Sequence, residues 1–199
     1  MHHLNETQTA KVIGHICIQD PETGEVFVDK RNAINFENMS IALAYSLAGL
    51  TDGNGTSGNA YNLLQMGFGN GGVNVTGTGA LTYRATNTST TSGALYNQTY
   101  TKSIANTASA APDNNISVVH TGGNNYSDIV ITATLDYSEP TDQDELDNAA
   151  SADGSYVFDE LGLKLATGNY ISHVIFHPVQ KSANRKIQVV YTIRITAGS

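Results

Sequence analysis

Apolar and polar residues alternate over much of this chain, and only one segment repeats at helical spacing. In "KVIGHICIQDPETGEVFVDK", Val12–Ile18 is rich in β-branched and apolar residues. Pro21 to Gly24 supply a turn, and Glu25 to Lys30 then alternate, with Val26 and Val28 on one face and Glu25, Phe27 and Asp29 on the other. The pattern predicts a hairpin. "NAINFENMSIALAYSLAGL" predicts a helix over about 36–48: Asn35 suits the N-cap, Ile34 the staple position and Gly49 the C′ stop. Phe36, Met39, Leu43 and Leu47 form its expected apolar stripe, while Ala42, Ala44 and Ala48 keep other faces small.

After a loop over Thr51–Ala60, the run Leu63, Leu64, Met66, Phe68 predicts a strand. Gly69 to Ala111 is rich in Thr, Ser, Asn and Gly. It reads as weak strands joined by long loops, including an exposed strand near Leu95–Tyr100, or as an arm ordered against a partner. The remainder is strongly β. "NISVVHTGG" and "SDIVITATLDY" read as two strands. A hairpin turns at Ala166–Asn169, and a last strand sets Ile187, Val189, Tyr191, Ile193 and Ile195 on one face. No fixed repeat is present. The expected fold is mainly β, a single-domain β-sandwich over 1–199 with one packed helix and a polar extended insertion at about 73–111.

Composition sharpens the picture. Only 14% of the 199 residues are charged, against about 25% in ordinary globular domains, so Asn, Thr, Ser and Gly must build much of the surface. That balance suits extracellular or particle-bound β proteins. The net charge of −8 argues against a nucleic-acid coat, and no specific nucleic-acid partner is expected. Ten Tyr and five Phe accompany no Trp. The single cysteine, Cys17, reads as a buried apolar residue. No Sec-type signal and no membrane-spanning apolar stretch are visible, and the N-x-S/T triplets at Asn54 and Asn97 read as chance.

"LLQMGFGNGGVNVTG" contains a literal G-x-G-x-x-G at Gly67, Gly69 and Gly72. A nucleotide loop requires a helix next, and the Thr/Asn/Gly-rich continuation has no helical periodicity. The glycines are expected instead to end the strand with a sharp turn, or to admit a neighbouring backbone closely. His173 and His177 share one face of a strand, roughly 13 Å apart, too far for one metal, and read as partly buried polar residues. Asp142, Asp144, Glu145, Asp147 and Asp153 form an acidic loop without EF-hand spacing. Lys181, Arg185 and Lys186 mark a basic hairpin tip, read as solvated or as a contact to an acidic patch. Asp159 and Glu160 are adjacent, so on a regular strand they point to opposite faces and make no catalytic pair. No nucleophile–base motif occurs, and neither a cofactor nor a metal is expected.

The phrases "TGEVFVDKRNAINFENMSIALAYSLAG", "LLQMGFGNGG", "SYVFDELGLKL" and "ISHVIFHPVQKSANRKIQVVYTIRI" resemble small virion structural proteins of tailed bacteriophages. The "FDELGL" phrase, Phe158 to Leu163, is similar to a strand phrase of tail-fibre-base, collar and baseplate-associated proteins. The resemblance implies a non-enzymatic virion component, made in the bacterial host cytoplasm and assembled in several copies. Its partners would be copies of itself and other virion proteins, in the neck, collar or tail region. Capsid decoration or head-fibre attachment is the first alternative, and a carbohydrate-binding receptor-recognition module the second. No membrane partner and no small-molecule ligand are expected. Phe158, Asp159, Glu160, Lys181, Arg185, Lys186, Tyr96 and Tyr100 are the candidate interface residues.

Overall fold

The computed structural model of the chain describes residues 9–49, 60–104, 113–137, 139–140, 157–182 and 184–198. Two five-stranded sheets carry the fold, and all their pairings are antiparallel. The first is ordered β2 (Val26–Arg31), β1 (Thr9–Gln19), β12 (Ile187–Gly198), β9 (Tyr126–Leu135), β8 (Asn114–Val119). The second is ordered β3 (Ala33–Ile34), β11 (Ser172–Gln180), β10 (Val157–Leu165), β4 (Leu63–Gly69), β7 (Gln98–Ser103). β5 (Val73–Val75) and β6 (Leu81–Tyr83) form a separate two-stranded sheet. Among the described residues this is a β-sandwich with one helix.

Alternation explains the core. On β12, Ile187, Val189, Tyr191 and Ile193 are each at most 2% exposed, and they meet Ile131, Ala133 and Leu135 of β9 and Ile16 and Ile18 of β1. Met66, Phe68, Leu161, Leu163, Val174 and Phe176 close the core from the second sheet. Each such side chain removed from water contributes about 1.5–3 kcal/mol. The Phe68 ring lies 5.2 Å from that of Phe158. The turns fall as expected, with Gly24 and Gly168 at positive φ.

Helix α1 (Phe36–Ala48) has the expected ends: the Asn35 side chain accepts the Asn38 N–H, and Gly49 caps in the left-handed region. Its buried face differs from the expected stripe. Met39 is buried and Leu43 partly buried, but Phe36 and Leu47 are 69% and 88% exposed, and the buried set is Asn38, Met39 and Ala42. The cause is polar. The Asn38 amide donates to the carbonyls of Thr91 and Tyr170, which turns that side of the helix inward and the ends of the apolar stripe outward.

Within the Thr/Ser/Asn/Gly-rich segment, residues 73–104 hold β5, β6 and β7, and Leu95 and Ile104 are buried against the chain's own body. The strand expected near Leu95–Tyr100 runs instead at Gln98–Ser103, on the edge beside β4. The loop expected over Thr51–Ala60, apart from Ala60, and the acidic cluster from Asp142 to Asp153 lie outside the described residues.

Candidate functional site

The ladder between β10 and β11 is irregular: from Phe158↔Val179 to Glu160↔Ile175, β10 advances two residues and β11 four. The extra length on β11 contains His177 and Pro178, and proline supplies no N–H to a ladder. At this break Asp159 and Glu160 both turn to the glycine run after β4. Asp159 accepts the N–H groups of Gly72 (2.8 Å) and Val73 (3.1 Å). Glu160 accepts that of Gly71 (3.1 Å). The expectation that these adjacent carboxylates act apart, on opposite faces, is therefore corrected: the ladder break lets them hold three successive peptide groups.

Glu160 is the centre of the cluster. It also accepts the N–H groups of Asn97 (2.7 Å) and Tyr96 (2.9 Å), and its Oε2 lies 2.9 Å from His173 Nε2. His173 Nδ1 accepts the Asn87 N–H at 2.8 Å, which assigns the ring proton to Nε2, where it points at the carboxylate. The imidazole is thus a neutral strut between β10 and the 87–97 loop. Glu160 and His173 are 0% and 1% exposed, and Asp159 is 3% exposed.

Burial pushes the Glu160 carboxyl upward, but the donors from His173, Asn97, Tyr96 and Gly71 outweigh it and hold the group below the usual carboxylate range. Asp159 has fewer donors. Burial raises it, the N–H groups of Gly72 and Val73 pull it down, the charge of Glu160 adds to the rise, and Arg84 opposes it, leaving Asp159 above the ordinary value.

The glycines fit this role by close approach. A Cβ on Gly69 would sit 2.3 Å from the Asn97 carbonyl oxygen and 2.6 Å from Glu160 Oε1. Gly67, Gly69 and Gly72 are absent from the positive-φ set, so the run is not a sharp left-handed turn. Its N–H groups do meet anions, as in a nucleotide loop, but the anions are the chain's own carboxylates. Both ring nitrogens and both Glu160 oxygens are occupied, so the cluster turns no reactive atom to solvent.

The other candidate interface residues scatter. Phe158 and Lys181 are also buried, so Phe158, Asp159, Glu160 and Lys181 offer no surface to a partner. Sequence reading places Lys181 on a solvated tip. In the structure its ammonium donates to the Ser182 carbonyl at 3.0 Å, and burial lowers its pKa to about 8. Asp136 and Glu139 oppose that shift, and Arg185 adds to it. Arg185 stacks 4.5 Å over the Phe27 ring. Lys186 pairs with Asp136 at 3.4 Å and lies over Tyr137. Tyr96 is 40% exposed, with Arg84 on its ring and its hydroxyl donating to the Ala85 carbonyl. Tyr100 is half-buried on Phe68, and burial pushes its hydroxyl up to about 12. His173 and His177 diverge, His177 being exposed beside the Tyr83 hydroxyl.

Sequence reading missed Asn87, Asn97 and Asn38, whose partners lie far along the chain. The signal available was a pair: an acidic dipeptide inside an apolar strand, and a glycine run with N–H groups to spare. Among the described residues, no group of three or more His, Cys, Asp or Glu is placed to hold a metal, and no helix is long and apolar enough to cross a membrane.

Two clefts remain. One, of about 460 Å³, is polar and lies among Lys102, Asn114, Asp136, Glu139 and Lys186. Lys102 and Glu139 form an ion pair within it. The other, of about 250 Å³, is apolar and lies between α1 and the β8 side of the first sheet, lined by Leu43, Tyr61, Ile116, Val118, Ile129 and Ile195 among others. No protein-family model, curated protein or solved structure matches this chain.

Proposed function

We propose that this protein is a non-enzymatic structural component of a tailed-phage virion, assembled in several copies in the neck, collar or tail region. The virion setting rests on the sequence resemblance. One structural observation supports an assembly role: the surface beside β8 is apolar and open. Val118, which lines the apolar cleft under α1, is 69% exposed. A contiguous apolar surface of this kind is typical of protein contact sites. The buried charged cluster complements it, since its carboxylates and imidazole are used up holding loops.

The test is to separate purified particles into heads and tails and quantify this chain by peptide mass spectrometry in each. A fixed, multiple copy number in the tail fraction is the expected result. High abundance in heads would make the protein a decoration or head-fibre attachment protein. Absence from both would overturn the structural reading.

A further inference from the structure

Four strands form the outer edges of the two sheets among the described residues, and three are guarded. β2 carries exposed Asp29, Lys30 and Arg31 and a register break against β1. β3 has two residues. β7 carries Lys102 and a register break against β4. Charges, breaks and short length are the devices by which sheet edges avoid pairing with other chains. β8 has none of them. Its six residues, Asn114–Val119, include no charge and no proline, and they pair with β9 in unbroken register.

We infer that β8 pairs antiparallel with β8 of a second copy, across a two-fold axis perpendicular to the sheet and centred on Ser117, joining two five-stranded sheets into one. This inference rests on the multi-copy structural reading above. A perpendicular two-fold keeps each residue on its own face, so some residue must pair with itself. Centring on Ser117 sets Ile116 opposite Val118 of the partner subunit, and Val118 opposite Ile116 of the partner subunit. Both Ile116 and Val118 line the apolar cleft, so the two clefts become continuous across the axis. Centring on Ile116 would set Asp113 against Val119 of the partner subunit, and centring on Val118 would set Ile116 against His120 of the partner subunit. Centring on Ile116 pairs it with itself but sets Val118 against Asn114 of the partner subunit, so only the Ser117 register gives both Ile116 and Val118 apolar partners on the cleft face.

Charge is compatible with this partner. Each copy carries −8, yet the paired strands bring no like charges together. Asp113, just before the strand, falls opposite Thr121 of the partner subunit. The nearest acidic side chain on β9, Asp128, is already held by Arg194 at 2.7 Å.

The test uses the full chain. Light scattering coupled to size exclusion should give a dimer mass, or a multiple of it, that Val118→Lys returns to the monomer with an unchanged far-UV spectrum. Val119→Lys is the second variant, should the first lose its fold. Register is read in a Cys17→Ser background: Ser117→Cys should give an oxidised, covalent dimer, and the same change at exposed Val26 should not. A wild-type chain that stays monomeric across the concentration range overturns the inference, as does a dimer that survives both lysine variants. If the chain is monomeric alone but present in multiple copies in particle fractions, the β8 contact fails and the structural reading stands.

Discussion

The two sheets are held by different physics. In the first, β1, β12 and β9 run in long unbroken ladders, and their inward residues are aliphatic or the buried Tyr191. In the second, the ladders of β10 with β11 and of β4 with β7 break beside Glu160 and Gly69, and Asp159, Glu160, His173 and the backbone of two loops gather there. Apolar burial is non-directional, so it places a sheet without fixing what lies beside it. A buried carboxylate with four donors is directional and fixes particular peptide groups. The first sheet is the scaffold, and the polar cluster of the second decides where the loops over 69–73 and 87–97 sit.

Breaking the cluster should give the largest effect. Glu160→Ala leaves four buried donors unpaired and should cost about 3–5 kcal/mol in chemical denaturation, with a milder loss for Glu160→Gln. Because the folded Glu160 pKa is depressed, its contribution is fully present above the unfolded carboxylate range and disappears as pH falls through the folded value. A steep acid transition in the wild type, shallower in Glu160→Gln, checks this. Next comes the strand packing beside the cluster. A Cβ on Gly162 would meet the Ser172 carbonyl oxygen at 2.4 Å, and backbone does not yield easily, so Gly162→Ala should cost about 1–3 kcal/mol.

Lys181 tests the opposite sign. Its folded pKa lies at about 8, below the ordinary 10.5, so the folded state releases its proton first. Stability should therefore rise between those values, until tyrosine ionisation intervenes. Lys181→Met should stabilise the protein at pH 7 by about 1–2 kcal/mol and flatten that rise in thermal melts. Asn35→Ala removes the α1 cap and should cost about 1 kcal/mol. Phe36→Ser changes an exposed residue and should stay within about 0.5 kcal/mol. A large loss there would mean that the exposed end of the helix stripe is covered.

The first sheet was legible because alternation is local: Ile187, Val189, Tyr191 and Ile193 announce their face without knowledge of any partner. The helix ends were legible for the same reason, since Asn35 and Gly49 act within one turn. Its buried face was not, because Asn38 finds its acceptors 53 and 132 residues away. Asp159 and Glu160 misled for a related reason. Strand alternation assigns adjacent residues to opposite faces, and only the ladder break, set by pairing with β11, cancels that rule. Lys181 looked solvated because a charged residue at a tip usually is, and its burial depends on packing between the sheets.

The order in which Glu160 meets its donors has a consequence for biosynthesis. Gly71, Tyr96 and Asn97 precede it by 89, 64 and 63 residues. They leave the ribosome well before the group that will anchor them. Until β10 and β11 are made, the glycine-rich and threonine-rich loops must wait in water, and their abundance of Asn, Thr, Ser and Gly keeps them hydrated while they do. Synthesis of the C-terminal third then closes contacts of long sequence separation in one step, late and slowly. A ribosome-bound chain halted before Phe158 should therefore expose the 69–97 region to protease, and the same region should become resistant once His173 has emerged.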